Sequence, residues 1–173
     1  MSLPYRLQTQ EIDPASPPNE AVKACIDAWN RWRGAATMPA WTGPERLLDL
    51  PAWVLPFAIV ADVRPSGGFV YRFWGSGFTT LHGYDLTGKS VSDLKPKGFA
   101  EMVERSMREV CRRKAPLLYE GDYVSKNEVV GSEIVLRLPL SHDGSSVSHI
   151  LTLVWIGVRE TEDWFRQDTA VGG

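Results

Sequence analysis

A chain of 173 residues, 43% hydrophobic and 23% charged, has the length of one domain and enough apolar residues to fold around its own core. Nineteen Lys and Arg stand against 21 Asp and Glu, so a net charge of -2 gives no electrostatic basis for gripping nucleic acid, and no apolar run approaches the ~18 residues that span a membrane. Cys25 and Cys111 form neither a disulfide framework nor a metal-binding spacing, and the opening residues lack the apolar core of a signal peptide, so a cytoplasmic location is expected.

Residues 1–18 carry Pro4, Pro14, Pro17 and Pro18 without an apolar period and read as an irregular lead-in to one domain over 19–162, with 163–173 as a C-terminal tail. Asn19 is a suitable N-cap. From there Val22, Cys25, Ile26, Trp29 and Trp32 recur at helical spacing until Gly34, predicting an amphipathic helix with an aromatic stripe. Prolines at 39, 44, 51 and 56 then permit only short turns, the best being 44–50 with proline at its first position.

Two β-favouring runs, 57–64 and 69–74, flank Pro65-Ser66-Gly67-Gly68 and predict a hairpin. Gly75, Gly77, Gly83 and Gly88 break the next stretch into two or three short helices. Phe99, Met102, Val103, Ser106, Met107, Val110 and Cys111 line one face of a longer helix that stops before Pro116, with acidic residues at its start and Arg112, Arg113 and Lys114 at its end. Three more strands are predicted at 117–124, 133–141 and 147–159, the last two joined through an Asp143-Gly144 turn. In 133–141, Ile134, Leu136, Leu138 and Leu140 alternate with Glu133, Val135, Arg137 and Pro139, which reads as one buried face. The final strand is apolar on both faces and needs cover on each. The sum is an α+β fold: a five-stranded antiparallel sheet, short helices and one long helix on one face, and the N-terminal amphipathic helix on the other, within the chain or across a dimer.

That order, together with His82-Gly83-Tyr84-Asp85-Leu86-Thr87-Gly88-Lys89-Ser90, resembles PAS domains, in which Gly-Tyr and Gly-Lys pairs mark the short helices after the second strand. Trp32-Arg33-Gly34, Met38-Pro39, Tyr71-Arg72-Phe73, Leu138-Pro139-Leu140 and Asp143-Gly144 are similar to a divergent, stand-alone PAS family of proteobacteria. The resemblance implies a sensory or regulatory module, often dimeric, that binds an unidentified small molecule or mediates protein–protein contacts in signalling. It names no cofactor. The Gly-x-Asn-Cys-Arg-Phe-Leu-Gln run of flavin-adduct members is missing after Tyr84, and His82 is the one histidine near helical structure, a lone residue beside a glycine that reads as surface or cap; both points speak against flavin adducts and haem.

On this reading the ligand-pocket candidates are Arg72, Phe73, Leu81, Tyr84, Met107, Cys111, Leu136 and Trp155, and the homodimer candidates are Val22, Ile26, Trp29 and Trp32 on the N-terminal helix. Arg72 could clamp a ligand carboxylate, but a pair with Asp62 across the hairpin is the simpler reading. No catalytic motif is present, and the chain reads as a non-enzyme. The rivals are a small-pocket isomerase or dehydratase using Asp62 or Asp122 as base, and a ligand-free dimerisation scaffold.

Overall fold

The computed structural model describes residues 9–124 and 130–157. Strand β1 (Thr9–Ile12) leads into helix α1 (Glu20–Arg33), two 3₁₀ turns (Pro44–Asp49 and Ala52–Phe57) and the hairpin β2 (Ala58–Val63) and β3 (Phe69–Trp74). Helix α2 (Ser76–His82), a short turn at Val91–Asp93 and helix α3 (Lys97–Arg113) follow, then β4 (Leu117–Val124), β5 (Val130–Leu140) and β6 (His149–Gly157).

All strands join one antiparallel sheet in the order β1-β4-β5-β6-β2-β3. Five are those expected from the sequence. The sixth, β1, falls inside the stretch read as irregular lead-in and pairs from Thr9↔Gly121 to Ile12↔Leu118. It escaped the pattern because an exposed four-residue edge strand needs no apolar alternation; its backbone pairing supplies the order. The tail at 163–173 lies outside the described residues.

Helix α1 begins and ends as its caps dictate. The Asn19 side chain accepts a hydrogen bond from the Val22 amide at 2.9 Å, and Gly34, at φ 54°, closes the other end. Its apolar stripe is buried in the common core, with the Trp29 indole donating to the Pro139 carbonyl at 2.8 Å. Val22, Ile26 and Trp29 are therefore covered by the chain itself, and only Trp32 of the four dimer candidates keeps substantial exposure, its indole on Asp49. The face assigned to a second copy is thus used within the chain.

A register shift interrupts the β2–β3 ladder. Val60 pairs with Phe73 but Ala61 pairs with Tyr71, so Arg72 is the extra residue of a β-bulge. Both Tyr71 and Trp74 consequently turn inward, which strict alternation forbids, while Phe73 turns out and is 36% exposed. After β3 the chain passes so close to itself that a Cβ on Gly75 would meet the Pro56 carbonyl oxygen at 2.2 Å, and only glycine lets α2 start there.

Candidate functional site

Helix α3 lays Phe99, Val103 and Met107 over one face of the sheet, and α2 adds Phe78 and His82. Opposite them stand Tyr71 and Trp74 from β3, Glu133, Val135 and Arg137 from β5, and Thr152 and Val154 from β6. They enclose a cavity of about 30 Å³, room for about two water molecules.

The cavity's chemistry centres on Arg137, which is 3% exposed. Its Nε donates to Ser106 Oγ at 2.8 Å, Nη1 to Thr152 Oγ1 at 2.7 Å and Nη2 to the Tyr119 hydroxyl at 2.9 Å. Ser106 in turn donates to the Val103 carbonyl. One guanidinium thus ties α3, β4, β5 and β6 together through neutral oxygens, leaving its charge to act on the cavity. Glu133 sits four residues before Arg137 on the same face of β5, 5% exposed, and burial pushes its carboxyl up to about 8, opposed by Arg137 and helped by the charge of Asp122. Glu133 is therefore mostly protonated at neutral pH and can donate as well as accept a hydrogen bond. The Trp74 indole N–H, also in the wall, is buried without a hydrogen-bond partner among the described residues.

His82 is buried rather than a surface cap. It lies among the rings of Trp74, Phe78, Tyr84 and Phe99, and burial pushes its imidazole down to about 4, so it is neutral at physiological pH.

Of the eight pocket candidates, the structure brings Met107 to the cavity. Tyr84 stands one ring behind, stacked on His82, and Leu81 is half-buried on α2 away from the lining. Cys111 lies one turn beyond Met107 and outside the lining. Leu136 and Trp155 belong to the opposite face, where Leu136 pairs with Leu153 and Trp155 with Ile134. Arg72 points outward and holds Asp62 in two-pronged fashion, Nε to Oδ1 at 2.7 Å and Nη2 to Oδ2 at 2.9 Å; His149 approaches the same carboxylate at 3.2 Å. That pair removes both Arg72 as a ligand clamp and Asp62 as a pocket base. The residues missed were Glu133, Arg137 and Thr152. A signal was present: β6 is apolar on both faces, and β5, its ladder neighbour, must be covered on both faces too.

A flavin adduct needs a cysteine in the cavity, and neither Cys25 on α1 nor Cys111 on α3 lines it. A cavity of about 30 Å³ is also an order of magnitude below the roughly 300–1,000 Å³ of a cofactor-sized site, so in this structure it has no room for flavin or haem. Among the described residues no cluster of three His, Cys, Asp or Glu could hold a metal ion, and no helix is long and apolar enough to cross a membrane.

An antiparallel sheet with helices closing a small polar cavity on one face is an α+β, PAS-like arrangement. Residues 18–154 match the family model described as PAS domain, and the chain belongs to that family. Among solved structures it is similar to the PAS domain of a Colwellia psychrerythraea protein (17% identity, 62% of this chain and 92% of that one, TM-score 0.47). It is also similar to a fungal LOV domain photoreceptor (20% identity, 78% and 91%, TM-score 0.47) and to an RNA-binding light-oxygen-voltage receptor (13% identity, 86% and 38%, TM-score 0.47). No curated protein matches the chain.

Proposed function

We propose that this chain is a cytoplasmic PAS module that senses a small polar molecule in the cavity between α3 and the sheet, and passes its occupancy to a protein partner. The observation that carries this reading is the set of buried polar groups converging there: the Arg137 guanidinium, the protonated Glu133 carboxyl and the unpartnered Trp74 N–H. A solid core would be more stable with apolar residues at these positions, so their presence supports a ligand that uses them. The cavity volume limits that ligand to a few non-hydrogen atoms unless α2 moves aside. Any self-association uses a surface other than the buried stripe of α1.

The test is native purification followed by denaturation and mass spectrometry of what is released, with a screen of small polar compounds for a shift in melting temperature. A compound that raises the melting temperature of the parent but not of Thr152→Val supports the reading. No released molecule and no shift with any compound would overturn it.

A second reading rests on Glu133 itself. A carboxyl raised to about 8 inside a polar cavity suits a general base near neutral pH, which keeps the small-pocket isomerase or dehydratase in view with Glu133 in place of Asp62 or Asp122. Turnover of a small carbonyl compound that Glu133→Gln abolishes without loss of binding would favour that reading.

A further inference from the structure

Outside the PAS core, β1, the flank of α3 and the start of β4 enclose a second, larger cavity of about 310 Å³, at the lower end of the roughly 300–1,000 Å³ usual for small-molecule sites. It exists because β1 extends the sheet past β4 and stands beside α3 as a wall. Its apolar floor is Leu117, Met102 and the Tyr119 ring; its polar rim is Glu11, Arg105, Glu109 and Arg113.

The charges of the rim are unevenly matched. Arg113 is held by Glu11, with Nη2 to Oε2 at 3.0 Å, and by Glu109 at 2.6 Å, and Glu109 is shared with Arg112 at 2.6 Å. Those guanidiniums hold the Glu109 carboxyl down to about 2 and lower that of Glu11, so both are ionised and engaged at neutral pH. Arg105 has no ion-pair partner among the described residues. Behind the floor, Arg137 adds a buried positive charge whose contacts are the Ser106, Thr152 and Tyr119 oxygens. The lining thus holds two guanidiniums and two carboxylates over an apolar floor, and because Arg113 engages both carboxylates, Arg105 is the cation left to an incoming group.

We infer that this cleft is a second ligand site, which takes a small organic carboxylate with its acid group on Arg105 and its hydrocarbon part on Met102, Leu117 and Tyr119. An anion is selected because it completes the pairing of Arg105 without displacing Glu11 or Glu109, and a purely polar anion such as phosphate leaves the floor wet. Ser106 and Tyr119, which line this cleft, supply two of the three oxygens that position Arg137 in the wall of the core cavity, so the sites share a partition.

The test uses the full chain, with phenylacetate as probe and phenylacetamide as its neutral counterpart, followed by two-dimensional amide NMR. Saturable phenylacetate shifts, largest at 102–109 and 117–119, are expected, with binding weakened roughly tenfold in Arg105→Gln and by the amide probe. Arg105 is exposed, so its variant leaves the fold intact; Thr9→Trp, which fills the cleft from the edge strand, should abolish the shifts. The proposal fails if phenylacetate does not saturate, if the amide binds equally well, if Arg105→Gln binds like the parent, or if the largest shifts fall at 133–137 and 152–154. The last outcome would place the probe in the core cavity and leave the sensory reading standing.

Discussion

Glu133→Gln isolates a single proton. In the folded chain the Glu133 carboxyl keeps its proton up to about pH 8, whereas in the unfolded chain it releases it near the ordinary 4.5. Between those values folding takes up a proton, so the stability contributed by the protonated group is whole below pH 4.5 and lost as pH rises to 8. The loss approaches ~1.4 kcal/mol per pH unit and totals on the order of 4 to 5 kcal/mol across the window. A glutamine keeps the shape and cannot ionise, so this part of the slope vanishes. Urea unfolding followed by tryptophan fluorescence, Trp74 lying in the cavity wall, should give nearly coincident curves for parent and variant at about pH 5 and a clearly more stable variant at about pH 8. If the two lose stability in parallel over that range, Glu133 is ionised in the fold, and the protonated donor invoked for the cavity does not exist.

Trp29→Ala should cost about 3 to 5 kcal/mol in the same assay, because the side chain is 4% exposed and its N–H satisfies Pro139; a loss under ~1 kcal/mol would mean that α1 does not pack on the sheet. Gly75→Ala should cost roughly 1 to 3 kcal/mol or more, since its methyl group runs into backbone at Pro56 rather than into a side chain that can turn; an unchanged melting temperature would contradict that close approach. Arg72→Ala should cost at most about 1 kcal/mol, less in high salt, because the Arg72 side chain is 52% exposed. A larger, salt-independent loss would mark the Arg72–Asp62 pair as buried.

Helix α1, the β2–β3 hairpin, α3 and the last three strands were legible because each carries its own period and stops: Asn19 and Gly34, Pro65 to Gly68, the end of α3 before Pro116, Asp143-Gly144. The cavity was far less so. Phe73 is among the expected pocket residues, yet the bulge at Arg72, a ladder property with no local marker, turns it outward and leaves Trp74 in the cavity wall. Leu136 lies on the β5 face whose burial the alternation predicts, whereas the cavity is built on the other face, from Glu133, Val135 and Arg137, which reads as solvent-facing until α3 is known to lie above it. Strand β1 was illegible for a different reason: its order comes from β4, more than a hundred residues away.

The Ser106–Arg137–Tyr119 partition has a thermodynamic corollary. A guanidinium held by two oxygens of one compartment and by the Thr152 hydroxyl of the other cannot be drawn toward either side without loosening its hold on the opposite one. An occupant that pulls on it from the outer cleft therefore rescales affinity in the core by some factor, and reciprocity requires the core occupant to rescale the outer affinity by that same factor. Coupling of this kind needs no hinge and no travelling helix, only one shared side chain.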